Sequence, residues 1–351
     1  MSHALSSAAA AAYRLVDGRQ GLFSGEGAIA AAADGRRAVF VGGQGRQMAF
    51  TGWACAAAIA GLAMLRPCAA QTRGLAVRYP RDAGIARDPA VLFHDDFETG
   101  AIGARWDDIS RRLGRGARNT SDPVSAETDP AIARGKRSAR VQIRRDGHED
   151  VTFVKWLRPG HDELYLRCYV RWGADYGYHG HGGPGFMADA EKGAFAGAGK
   201  APEGDRHFWA TLEPIGPREW PPPGALIFYA YWWKMQPDGR GNHWGNWFRP
   251  EPDQVPPRER WVCLEWRVKA NTPGKADGEL ECWIDGTKRG SFRGIEWRST
   301  DALKVNKVFL SLWLEAGAYD RAGGGETRTV WYDDIVVATK YIGPRAEGGA
   351  R

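Results

Sequence analysis

Four tracts of the 351-residue chain alternate apolar residues with side chains able to bind or to transfer protons. In Glu163–Trp172, Leu164, Leu166, Cys168 and Val170 take one parity, and Tyr165, Arg167, Tyr169 and Arg171 take the other. In Ala225–Met235, Tyr229, Tyr231 and Trp233 share a parity with Ile227. In Lys307–Glu315, Phe309, Ser311, Trp313 and Glu315 oppose Val308, Leu310, Leu312 and Leu314. Within Glu259–Ser291, Arg267 falls with Cys263, Glu265 and Lys269, and Trp283 with Glu281 and Asp285. Period two marks a strand covered on one face. Gathered on one sheet, the open sets line a groove with Arg, Tyr, Trp and Glu. Aromatic rings stack on sugar faces and guanidinium forks pair with carboxylates, so such a groove suits an anionic glycan. The expectation is that Arg167, Tyr231 and Trp313 meet on that one surface.

The elements that must position these residues are strands. Sixteen Trp, 46 Gly and 20 Pro favour strands and turns over helices. Period-two tracts fall at Val91–Phe97, Ser138–Arg144, Thr152–Leu157, Glu163–Trp172, His207–Glu213, Ala225–Met235, Arg260–Ala270, Glu279–Asp285, Lys307–Glu315 and Thr329–Thr339. Their density, with Asp277-Gly278 and Asp285-Gly286 as turns, predicts an all-β antiparallel sandwich or jelly roll with a concave groove. Gly173–Arg206 and Gln236–Glu259 read as long loop insertions.

One domain over 91–342 is expected. Before it, residues 1–47 read as an over-called or disordered extension, 48–70 as a signal peptide starting at Met48, and 71–90 as a loose connector; 343–351 read as a disordered tail. The expected product is secreted or periplasmic, monomeric, and free of the membrane once the signal is removed. Residues 1–70 hold six Lys/Arg and three Asp/Glu, so of the net +6 the remainder carries +3. That mild excess has no basic run with interleaved aromatics, and nucleic acid is not an expected partner. Cys168, Cys263 and Cys282 have no metal-ligand spacing, and Cys263 and Cys282 fall on opposite faces of their hairpin, against a disulfide. His179 and His181 form an H-x-H pair with no third ligand at a suitable spacing, so no metal is expected in catalysis.

Most of residues 91–340, including the segments YLRCYVRW, GYHGHGGPGF, FYAYWWKM, WRVKANTPGKADGELECWIDG, GIEWRST and VWYDDIVVATKYIGP, resembles the jelly-roll polysaccharide lyases of the alginate and glucuronan type, which have a concanavalin A-like fold, nearest to polysaccharide lyase family 14. Tyr229 and Tyr231 match that family's tyrosine pair. The family's loop lysine is replaced by His181-Gly182-Gly183-Pro184-Gly185, and its Ser-x-Arg pair by His207, Trp209 and Thr211.

The resemblance implies β-elimination on a uronic-acid-containing, hence acidic, polysaccharide. The sugar carboxylate must be neutralised, the C5 proton removed and the departing oxygen protonated. Arg167 or Arg171 suits the first task, His181 or His207 the second, and Tyr231 or Tyr229 the third. Tyr165, Tyr169, Trp209, Trp233, Arg267, Trp283, Trp313 and Glu315 are then substrate-binding candidates. HDDFETG and WYDDIVVA resemble terminal strands that hold a structural Ca²⁺, with Asp96, Glu98, Asp333 and Asp334 as ligands. A lyase-like binding protein without catalysis is the alternative. A glycoside hydrolase, with Glu265 opposite Glu281 and Glu213 or Glu315 nearby, ranks third.

Overall fold

Alternation of apolar and polar residues builds two antiparallel sheets that close on each other's apolar faces. The computed structural model describes residues 74–178, 181–190, 198–215 and 220–347; the expected extension and signal segment lie outside them. The strands are β1 Val91–Asp95, β2 Asp108–Leu113, β3 Val124–Glu127, β4 Ser138–Arg144, β5 His148–His161, β6 Glu163–Trp172, β7 His181–Asp189, β8 His207–Ile215, β9 Ala225–Tyr231, β10 Asn246–Phe248, β11 Val262–Lys269, β12 Gly278–Ile284, β13 Thr287–Ile295, β14 Val305–Trp313 and β15 Thr327–Ala338. One sheet runs β13-β12-β11-β6-β15-β4-β3, with β1 also on β15; the other runs β10-β9-β8-β7-β14-β5-β2. The all-β sandwich is as the sequence predicts.

Every expected parity holds in the core. Leu164, Leu166 and Cys168 of β6 face Val308, Leu310 and Leu312 of β14 within one apolar cluster. Trp266 of β11 bridges the layers, its ring 4.7 Å from that of Phe186 and 5.3 Å from that of Phe228. Cys168, Cys263 and Cys282 are buried and unpaired as disulfides.

Three expectations change. Residues 74–90 are not a loose connector: they form short 3₁₀ turns over Leu75–Arg78, Pro80–Asp82 and Ile85–Arg87, with Leu75, Ile85 and Ala90 packed against Val336, Ala338 and Ile342. An apolar residue at nearly each turn gave them something to bury. The start of the expected tail is equally ordered, since Ile342 and Gly343 donate their backbone N–H groups to Glu265, each at 2.7 Å. The tract His181–Asp189, expected within a loop, is β7, between β8 and β14.

Candidate functional site

The outer faces of the two sheets divide the expected site residues. On the face of the seven-stranded sheet, β7, β8, β9 and β14 bring His181, Trp209, Glu213, Tyr229, Tyr231 and Trp313 together. The His181 ring lies 4.9 Å from that of Tyr229 and 5.4 Å from that of Trp313. Trp209 stacks on Tyr231 at 4.9 Å with 16° between planes, and the two tyrosine rings meet edge to face at 5.7 Å.

The glycine run of β7 makes this packing feasible. A Cβ on Gly183 would run into Leu212 O and the Glu213 side chain, and one on Gly185 would overlap the Phe309 ring. With those positions bare, Glu213 leans across β7: one carboxylate oxygen accepts the Gly182 N–H at 2.8 Å and the other lies 3.4 Å from His181 Nδ1. A carboxylate only accepts, so Nδ1 is the donor in this contact. Glu213 is buried, while the His181 side chain is one-third exposed.

The tyrosines have the opposite character. Burial, with the neighbouring Tyr231 hydroxyl, pushes the Tyr229 phenol well above its usual 10, and burial pushes Tyr231 up as well. Both stay protonated at neutral pH, as proton donors must, and neither has the lowered pKa that a tyrosine base would need. Their hydroxyls lie 3.4 Å apart, and the Gly245 N–H donates to the Tyr229 oxygen at 3.1 Å.

His207 also belongs to this sheet, opposite Asp189 on β7. It lies beyond Trp209, away from His181, and neither ring nitrogen has a hydrogen-bond partner. Burial lowers its pKa. Trp233 falls past the end of β9, against Gly204 and Ser299. Glu315 follows β14 and sits 3.8 Å from Arg321.

The arginines are elsewhere. Arg167, Arg171 and Arg267, with Tyr165, Tyr169 and Trp283, project from the eight-stranded sheet, so the expectation of a single surface shared by Arg167, Tyr231 and Trp313 is corrected. Parity along one strand fixes a face of its own sheet and not which sheet it joins. Arg167 is fully buried beneath residues 74–90, paired with Asp82 (Nη1 to Oδ1 3.1 Å) and bonded to the carbonyls of Asp334 and Gly343. Arg171 lies over the Trp331 ring, Arg134 over Tyr169, and Arg267 among Glu163, Glu279 and Glu281. Tyr165 and Trp283 cluster with Tyr341. Glu265 is opposite Trp283 rather than Glu281, and is spent on two backbone N–H groups. That removes the carboxylate pair of the hydrolase reading.

Of the four expected Ca²⁺ ligands, Asp96, Glu98 and Asp334 line one cavity together with Lys136 and Arg345. Arg134 and Arg345 grip the Asp334 carboxylate, Asp333 holds Ser138 and the Asp334 N–H, and Glu98 accepts the Lys136 N–H. Asp96 caps the Glu98 N–H at 3.3 Å. Among the described residues no group of three or more His, Cys, Asp or Glu side chains is placed to hold a metal ion.

Sequence reasoning missed two participants. Trp247 of β10 pairs with Tyr229 across the strands, so it shares that face, and it is 47 % exposed. Gly245 covers Tyr229 from above. Both lie in a tract read as a loop, and only the dense Asn, Trp and Pro content marked it.

No family model matches the sequence, and no curated protein matches it. Solved structures do. An alginate lyase, Aly36B, as a mutant holding an alginate trisaccharide, is 17% identical with a TM-score of 0.52, covering 72% of this chain and 98% of that one. Alginate lyase vAL-1 from Chlorella virus is 13% identical with a TM-score of 0.51, covering 71% and 99%. The marine PL-14 alginate lyase from Aplysia kurodai is 16% identical, also at 0.51, covering 71% and 99%. At these identities the likeness is one of architecture: the chain has the jelly-roll fold found in these polysaccharide lyases.

Proposed function

We propose that the chain is an exported polysaccharide lyase that cleaves a uronic-acid-containing polymer by β-elimination on the outer face of the seven-stranded sheet. The observation that carries this is the pairing of His181, oriented through Nδ1 by buried Glu213, with Tyr229, whose phenol burial keeps protonated. His181 Nε2 takes the C5 proton of the sugar. The electron pair left behind forms the C4=C5 double bond as the C4–O4 bond breaks, and the Tyr229 hydroxyl gives its proton to the leaving O4. Trp313 and Trp247 flank the pair as stacking surfaces for neighbouring sugar rings. The alginate lyases that share the fold make a uronate polymer the first substrate to try.

A lyase-like binding protein is the second reading, and one observation favours it. The arginines expected to neutralise the uronate carboxylate belong to the other sheet. The mature chain incubated with alginate and glucuronan, followed by the ultraviolet absorbance of the unsaturated product, separates the two. Product formation that falls about 10²–10⁴-fold in both His181→Ala and Tyr229→Phe supports elimination at this pair. Binding without product from any uronate polymer supports the second reading.

A further inference from the structure

Residues 236–246, which lead into β10, form a strap braced by backbone hydrogen bonds and by their own side chains. Asp238 accepts the backbone N–H groups of Arg240 and Asn242, each at 2.8 Å, and its second oxygen accepts Trp244 Nε1 at 3.0 Å. Asn246 closes the base of the strap, accepting the Gln236 N–H at 2.8 Å and donating to Gln236 O at 3.0 Å. His243 bridges to Gly199. All this bracing ends at Gly245, whose backbone lies so near the Tyr229 ring that any Cβ there would overlap three ring carbons. Its N–H points at the Tyr229 hydroxyl oxygen beside that of Tyr231.

We propose that Gly245 is a positioning residue, and that the strap is built to deliver its one N–H group to the tyrosine hydroxyl pair. A hydroxyl that accepts a hydrogen bond on its lone pair must turn its own proton elsewhere, which points the Tyr229 proton away from the strap. The same N–H then stabilises the phenolate left once the proton has gone, as a preorganised donor aimed at developing charge. Glycine is required because the donor must come within hydrogen-bond range of a ring that any side chain would strike. This role rests on the lyase reading; the contact itself does not.

Two measurements test it. Amide hydrogen exchange on the full mature chain should show Gly245 protected, and Tyr229→Phe should speed exchange at Gly245 at least tenfold by removing the acceptor. Kinetically, Gly245→Ala and Asp238→Ala should lower kcat about tenfold or more with KM within about twofold, and Asp238→Asn should recover most of the loss because its Oδ1 accepts the same two backbone N–H groups. Exchange at Gly245 unaffected by Tyr229→Phe overturns the contact. Wild-type kcat in Gly245→Ala overturns the positioning role. If the unaltered chain turns over no polymer, the lyase reading and the positioning role fall with it, and the exchange result alone still decides the contact.

Discussion

At the scale of single residues, Trp247 offers the sharpest separation of binding from chemistry. It is an exposed indole on an edge strand, cross-strand to Tyr229, with no packing duty deep enough to need so large a ring. Trp247→Ala should raise KM for polymer about tenfold with kcat nearly unchanged, because stacking acts equally on bound substrate and transition state. A fall in kcat at constant KM would instead place the indole in the reaction. The tyrosine pair was legible in the sequence because alternation assigns faces, and His181 because it stands near the place of the family's loop lysine and few side chains other than histidine titrate near neutrality. Glu213 was legible only as a carboxylate in the right strand; that it serves histidine depends on a strand crossing no periodicity encodes. Arg167 was misread for a definite reason. Its parity is outward, as expected, but outward on the back sheet, where residues 74–90 cover it and Asp82 takes its charge.

At the scale of the element, β7 shows how a strand escapes its usual signals. Gly182-Gly183-Pro184-Gly185 has the composition of a turn, and proline in a sheet interior is uncommon. Here the missing side chains are the purpose of the strand, since Phe309 of β14 lies over Gly185. Gly185→Ala should destabilise the fold by about 1–3 kcal/mol through overpacking. Adding Phe309→Ala should return part of that loss, so thermal unfolding of the two single variants and the double variant checks the contact; strictly additive losses would count against it. Apart from β3 and β7, strands with an apolar side facing the core were found within a few residues of their ends. None of the four sheet-edge strands β2, β3, β10 and β13 was found; β3 and β10 are only four and three residues long, and in β2 and β13 Arg111, Arg112, Lys288, Arg289 and Arg293 leave little hydrophobic alternation to detect.

For the whole molecule, the back sheet works as a clasp. Asp82 from the first turns and the Ile342–Gly343 backbone from the last residues both reach into β6 and β11, to Arg167 and Glu265. Burial pushes the Glu265 carboxyl up to about 7, against the pull of those two N–H groups and of Arg167. A carboxyl whose folded pKa is raised stabilises the fold fully below its unfolded value, near 4.5, and loses that contribution as pH climbs through 7. Denaturant unfolding between pH 5 and 8 should therefore show stability drifting down by about 2–3 kcal/mol at most from this group. Glu265→Gln should unfold more readily at pH 5 and show a flatter profile; an unchanged slope would remove Glu265 as its source. Among the described residues no helix is long and apolar enough to cross a membrane.

Because residues 74–90 and 341–345 are both fastened to the back sheet, the His181–Tyr229 face lies on the far side of the sandwich from either point of attachment. A fusion partner, an affinity handle or a solid support joined beyond those residues would leave that face turned toward incoming polymer. On the proposed lyase reading, the protein immobilised by either end should cleave long polymer at a rate close to that of the free chain.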